Sequence, residues 1–210
     1  MSRFSSPPTE PAARSRRGVT LLELLIASGL VLLVALSVLA LFEAGVRYVR
    51  ESEARLDIQR DALVAMALVT QELSESNPVA FRTDPDPPGV VFGSPRNLEG
   101  TLIVDSSGKL IWQKFICYYL EDSGAERRLI RKERMLDPTV RVSFPPAPGA
   151  GLSTADFLVL PIPARTIAGG IESFAVTPST QVDIELTAAR RDWKGRDFRV
   201  RLQSSVLMRN

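Results

Sequence analysis

From Val19 to Phe42 the sequence runs apolar with one charged residue, Glu23, and this run limits what the chain can be. As a helix it would be about 36 Å long, enough to cross a bilayer core of about 30 Å. Its carboxylate is the expensive part. An acidic side chain at the centre of a membrane helix costs roughly 2.5–3.5 kcal/mol, and such residues are rare unless they have a task. A plain anchor gives no reason to keep it. Arg14, Arg16, Arg17 and Gly18 lead directly into the run. Basic residues on that side predict a cytoplasmic N-terminus and a downstream part outside the cytoplasm.

The net charge of +2 is unevenly spread. Arg3, Arg14, Arg16 and Arg17 against Glu10 place +3 in residues 1–18, which leaves −1 for residues 19–210. A nucleic-acid footprint needs a clustered basic face on the folded part, so a nucleic-acid partner is not expected. The chain has one cysteine, Cys117, which excludes an intrachain disulfide. It has no histidine. That removes Ser-His-Asp and Cys-His nucleophile systems, zinc sites with imidazole ligands and the usual acid–base residue near neutral pH. The residues therefore indicate no catalytic role, no cofactor and no metal.

Three kinds of N-terminal segment compete. A secretory signal peptide has an apolar core of roughly 7–15 residues followed by a small-x-small cleavage site, and the present run is too long. A signal anchor explains the length and the arginines but not Glu23. The third reading accounts for all of them. Gly18-Val19-Thr20-Leu21-Leu22-Glu23-Leu24-Leu25-Ile26-Ala27 resembles the leader junction of type IV pilins and type II secretion pseudopilins. That family has a short basic leader, a glycine, and an apolar helix whose fifth residue is glutamate. The resemblance implies cleavage between Gly18 and Val19 by a prepilin peptidase, N-methylation of Val19, and a role for Glu23 in assembly and axial register. The family usually has phenylalanine where Val19 stands, as some minor members do not. Many major pilins also break the helix with a proline, whereas no proline occurs here between Pro11 and Pro78.

Beyond Phe42 the run becomes amphipathic. Val46, Val49, Leu56, Leu63, Met66 and Leu73 recur at three- and four-residue steps or their multiples, predicting a stripe that packs on the protein's own sheet. Arg47/Glu51 and Glu51/Arg55 form i,i+4 pairs. Asn77-Pro78 ends the helix. The remainder reads as β structure. Asp84–Gly89 is a loop by composition, and Asp105-Ser106-Ser107-Gly108 joins strands at 101–104 and 109–112. Glu121–Ala125 joins strands at 114–120 and 127–134. Phe157–Leu160 reads as a short buried strand, and Ile171–Val176 as another. Val182, Ile184 and Leu186 alternate with Asp183 and Glu185; Phe198, Val200 and Leu202 alternate with Arg199, Arg201 and Gln203. These are half-buried strands, with Lys194-Gly195 at the turn between them.

The expected architecture is thus α+β and pilin-like. It has a leader over residues 1–18, a helix over 19–76 with its membrane segment at 19–42, and a β-rich periplasmic domain over 77–210. Phe115-Ile116-Cys117-Tyr118-Tyr119-Leu120, Arg128-Leu129-Ile130-Arg131 and the ending Val206-Leu207-Met208-Arg209-Asn210 resemble PilW-type minor pilins and J-type minor pseudopilins. The resemblance implies a subunit of a tip or priming complex, in the inner membrane and then in a pilus or pseudopilus. Its partners would be other minor subunits, the major subunit, the prepilin peptidase and membrane lipid. Two rivals remain at this level: an adhesive or DNA-uptake minor pilin using loops 84–100 and 145–155, and an unrelated signal-anchored periplasmic protein. Asp183 and Glu185 read as a solvated strand face, the Gly149–Gly151 stretch as a linker, Cys117 as a small buried hydrophobe, and Trp112 and Trp193 as packing residues. The cluster Arg127, Arg128, Arg131, Lys132 and Arg134 reads as a solvated strand face.

Overall fold

The computed structural model describes residues 19–124, 126–137, 145–149, 152–178, 181–191 and 197–208. The expected turn at Lys194-Gly195, Trp193 and the last two residues of the C-terminal motif lie outside them. The chain divides into two compact units, residues 1–49 and 50–210. One α-helix, α1 (Leu21–Ser74), runs without interruption from the first into the second. A short 3-10 turn, Pro78–Ala80, follows, with the Asn77 side chain accepting from Val79 N–H. Then come β1 (Phe81–Pro85), β2 (Pro88–Ser94), β3 (Lys114–Asp122), β4 (Arg127–Met135), α2 (Thr154–Val159), β5 (Ala164–Gly169), β6 (Ile171–Thr177), β7 (Val182–Arg191) and β8 (Asp197–Val206). The layout is a long N-terminal apolar helix followed by antiparallel sheets, an α+β arrangement.

Strands β1 to β5 form one sheet in sequence order, and β6 to β8 form a second. The larger sheet is covered on both faces. Val90, Phe92, Ile116, Tyr118 and Leu129 belong to a cluster with α1 and the second sheet, whereas Val91, Phe115, Cys117, Tyr119 and Ile130 belong to a cluster with Phe157 of α2. Successive strand residues point to opposite faces, so a strand buried on both sides must read as a continuous apolar run. Phe115–Leu120 is such a run. The second sheet is wet on one face: Val182, Ile184, Leu186 and Ala188 are buried, and the residues between them are not. Asp183 and Glu185 lie on that outer face, where Asp183 accepts from Ser205 Oγ at 2.6 Å and Glu185 from Arg201 at 2.8 Å.

Two glycines are required by space. Gly170 joins β5 to β6 at φ +67°, and a Cβ there would lie 2.9 Å from the Ala189 carbonyl oxygen. At Gly89 a Cβ would meet the Tyr118 carbonyl oxygen at 2.5 Å and Thr154 Cγ2 at 2.6 Å, so α2 packs directly on β2 only because that position is bare.

Several sequence expectations change. The Phe157–Leu160 strand is the helix α2. Ser153 and Asp156 cap it reciprocally, Ser153 Oγ accepting from Asp156 N–H and Asp156 from Ser153 N–H at 2.9 Å, and that capping box decides the local conformation. Asp84–Gly89 is a hairpin turn, with β1 and β2 paired from Phe81↔Phe92 to Pro85↔Pro88. The segments beside Asp105–Gly108 make only single bridges, Arg96↔Leu102 and Val104↔Leu110. The turn itself is as expected: Asp105 Oδ1 accepts from Ser107 and Lys109 N–H. The buried stripe of α1 within residues 50–74 is Ile58, Ala62, Ala65, Met66, Val69 and Leu73. Leu56 and Leu63 are exposed instead. Ala62 and Ala65 are fully buried in the cluster that α1 shares with the two sheets.

The basic cluster is not a solvated face throughout. Lys132 is buried, and Arg131 points to α1. Arg131 donates to both oxygens of Glu72 at 3.1 and 2.9 Å, and Tyr118 OH donates to the same carboxylate at 2.6 Å. Arg131 also lies 3.1 Å from Glu133, which pairs with Lys114 at 2.7 Å. Burial works against the Arg131 charge, but its hydrogen bonds and charge attraction to Glu72 outweigh that and hold it protonated. Glu75, just past the end of α1, pairs with Arg96 at 2.5 Å. Removing one partner of a buried pair strands the other charge, at a cost of about 3–5 kcal/mol. Arg131→Met should lower the unfolding free energy by about 3 kcal/mol, measured by denaturant titration of the detergent-solubilised chain. Adding Glu72→Met should recover much of that loss; no recovery would mean that the pair is not what fastens the helix.

Candidate functional site

The site is the start of α1. Thr20 is its N-cap: Thr20 Oγ1 accepts from Glu23 N–H at 3.2 Å, and its carbonyl accepts from Leu24 N–H at 3.1 Å. The helix begins at Leu21, so Glu23 lies in the first turn. There the unpaired backbone N–H groups and the positive end of the helix dipole favour a carboxylate. Thr20-Leu21-Leu22-Glu23 carries the capping-box spacing, which is a local explanation of Glu23.

Behind this cap the helix is apolar on every side. Val19, Leu21, Leu22, Leu24, Leu25, Ile26 and the leucines and valines up to Phe42 are all exposed. A helix that is hydrophobic all round is buried in a large core or in a membrane, and in this unit no protein covers it. It is long and apolar enough to span a bilayer. Its hydroxyls need no outside partner: Ser28 Oγ donates to the Leu25 carbonyl at 3.0 Å and Ser37 Oγ to the Leu33 carbonyl at 2.9 Å. Satisfying polar groups within the segment is the condition for sitting in lipid. Gly29 has nothing within 4 Å of where a Cβ would be, so this glycine is not used for packing inside the chain. At the end of the apolar run, Glu43 and Arg47 pair at 2.8 Å and mark the return to a wet surface.

Of the residues singled out from sequence, Glu23 lies in the first turn of α1 and Val19 immediately precedes its N-cap. Gly18, Arg14, Arg16 and Arg17 lie outside the described residues. Elsewhere, burial first, and then the negative charge of Asp84, pushes the Cys117 thiol well above its ordinary range, so it is inert at neutral pH. Trp112 is buried. Among the described residues no group of three acidic, cysteine or histidine side chains is placed to hold a metal. A groove of about 590 Å³ is lined by Arg127, Glu172, Arg191, Asp197 and Arg199 among others. Arg191 pairs with Asp197 at 3.0 Å and Arg199 with Glu172 at 3.0 Å, so these charges answer one another.

Sequence reasoning missed the Glu72–Arg131–Tyr118 cluster. Its signal was present: a carboxylate at position 72, beside Val69 and Leu73 on the apolar stripe, needs a buried cation opposite it. No family model matches the chain, and no curated protein or solved structure matches it either.

Replacing Thr20 by alanine removes the N-cap acceptor, worth about 1 kcal/mol. In detergent micelles, amide exchange at Glu23 should speed up about fivefold in Thr20→Ala, while exchange at Leu36 is unchanged. Equal acceleration along the helix would refute the cap.

Proposed function

We propose that the chain is a minor pilin or pseudopilin: an inner-membrane precursor, cut after Gly18, that enters the tip or priming complex of a type IV pilus or type II secretion pseudopilus. The observation that carries this reading is the placement of Glu23. It stands five residues into the proposed mature chain, in the first turn of an unbroken helix that is apolar on all sides. The Arg16-Arg17-Gly18 junction directly before it, and the antiparallel β domain after it, support the same reading.

The mechanism is assembly. After cleavage Val19 bears a free α-amine beside the apolar run. An isolated amine or carboxylate in that environment is strongly disfavoured. When Glu23 of an incoming subunit meets the amine of its neighbour, the two penalties offset each other. A buried pair of this kind sets register between packed helices, the best-attested use of such pairs. The exposed helix surface with Gly29 lets a second helix approach closely in lipid. The globular part faces the periplasm and contacts other minor subunits laterally.

Mass spectrometry of the mature N-terminus tests the first step. With the leader peptidase present the chain should begin at Val19, and without it upstream of Val19; an unchanged N-terminus in both hosts would overturn the proposal. For the second step, Glu23→Ala should insert into the membrane normally but fail to co-purify with the assembled complex. Normal incorporation of that variant would refute the register role.

A further inference from the structure

Strands β1, β5, β6 and β8 end the two sheets, and their edges are not equally protected. An open edge presents unpaired N–H and C=O groups to any other strand. Proteins guard it with short strands, proline, bulges, covering elements or exposed charge. In the larger sheet, β1 has five residues and ends in Pro85, and β5 shifts register at Leu129/Ile130. In the second sheet, β6 packs against β2, β3 and β4. Strand β8 has neither a break nor a proline. It pairs with β7 over ten residues, from Val182↔Val206 to Arg191↔Asp197, and no described strand lies beyond it. It does carry exposed arginines, but its own sheet neutralises them. Arg199 pairs with Glu172 at 3.0 Å and Arg201 with Glu185 at 2.8 Å. Gln203 donates to the same Glu185 at 3.3 Å, and Ser205 donates to Asp183 at 2.6 Å. Among the described residues Asp183 forms no ion pair. On the inner face Val200 and Leu202 are only half-buried at the margin of the main core, whereas Ile184 and Leu186 of β7 are fully buried.

We propose that β8 is a self-pairing edge: two copies of this chain join antiparallel along residues 199–205, about a two-fold axis at Leu202, into one six-stranded sheet. The charge pattern selects both the occupant and the register. Centred on Leu202, the pairing sets Arg199 opposite Ser205, Val200 opposite Ser204 and Arg201 opposite Gln203 of the second copy. Directly opposed like charges destabilise a sheet, and this register has none. Centring on Arg201 opposes two arginines, and centring on Val200 opposes Arg199 to Arg201. Centring on Gln203 avoids like charges but sets Leu202 against Ser204 instead of against Leu202. A slip by one residue would bring the apolar side chains of one copy to the wet face of the other. In the Leu202 register Arg199 also stands beside the Ser205–Asp183 pair of the second copy. The unpaired carboxylate thereby gains a cation, and the two-fold axis repeats the gain. The pairing uses no group that cleavage at Gly18 creates, so it is independent of the assembly mechanism above.

The test uses the full chain in detergent. Opposed residues of an antiparallel pair lie about 4.5–5.5 Å apart at Cα, within the span of a disulfide. Leu202→Cys should therefore oxidise to a covalent dimer. Thr166→Cys, on the exposed part of β5, should not. The unsubstituted chain, whose one thiol at Cys117 is buried, is the blank. Sedimentation then reads the sign of the charge effect. Gln203→Arg opposes two cations at both symmetric positions and should weaken the dimer about tenfold. Within one copy the same change adds a second cation beside Glu185, so thermal unfolding should not fall. Gln203→Glu should tighten the dimer. A chain that stays monomeric at the highest soluble concentration, as it would if the edge served a strand of another protein, overturns the proposal. So does a dimer that cross-links equally through Thr166→Cys, or one indifferent to charge at position 203, which association through the apolar helix alone would give. The Gln203 variants lie on the wet face and decide the matter if Leu202→Cys fails to fold.

Discussion

The Glu72 carboxylate holds the second unit in register. It receives both arms of Arg131 and the hydroxyl of Tyr118, so one side chain on α1 is bonded to two adjacent strands of the larger sheet. Apolar packing alone does not fix how far a helix slides along a sheet, because hydrophobic burial is non-directional. A bidentate charge pair is directional. The stripe Ile58, Ala62, Ala65, Met66, Val69 and Leu73 supplies adhesion, and Glu72 supplies position. Glu75, the residue just past the end of α1, repeats the device with Arg96 and ties the 95–113 excursion to the end of that helix. Lys114 closes the circuit, bonding Glu133 on β4 and the Asn97 carbonyl in that excursion. The charges of Glu72, Arg131, Glu133 and Lys114 cancel, which is why they can be withdrawn from water together.

The same logic explains which parts of the fold were legible in the sequence. The uniformly apolar first half of α1, the hairpin of β3 and β4, and the alternation in β7 and β8 depend on local pattern, and each stands where the pattern puts it. The errors fall where tertiary contacts override local signals. Leu56 and Leu63 are the larger apolar residues, but the sheet accepts the alanine-lined face of the helix. Strand β5 is exposed along its first half, from Ala164 to Thr166, and carries no alternation to read. Arg131 and Lys132 look alike in a basic strand, yet one answers a carboxylate and the other three carbonyls. Only the packing partners, far away in sequence, distinguish them. The capping box of α2 is an exception: Ser153-Thr154-Ala155-Asp156 is a local signal, masked by the apolar Phe157–Leu160 that follows it.

Glu23 needs separate treatment, because its cost depends on where in the helix it lies. The penalty of roughly 2.5–3.5 kcal/mol belongs to the bilayer centre. In the first turn, capped by Thr20, a carboxylate gains typically 0.3–1 kcal/mol from the helix dipole and lies at an end that can face the interface. Capping therefore accounts for Glu23 in a solitary helix with no partner at all. It does not account for Arg16, Arg17 and Gly18, which precede the cap in sequence. The pairing proposed above would use all of them: basic residues to hold a leader in the cytoplasm, a glycine to present a cleavable bond, and a new amine four residues before the carboxylate. Capping and pairing are compatible in sequence and differ in chemistry. The first is complete in the intact chain, whereas the second, as proposed, would begin only once a cut at Gly18 created an amine for Glu23 to meet.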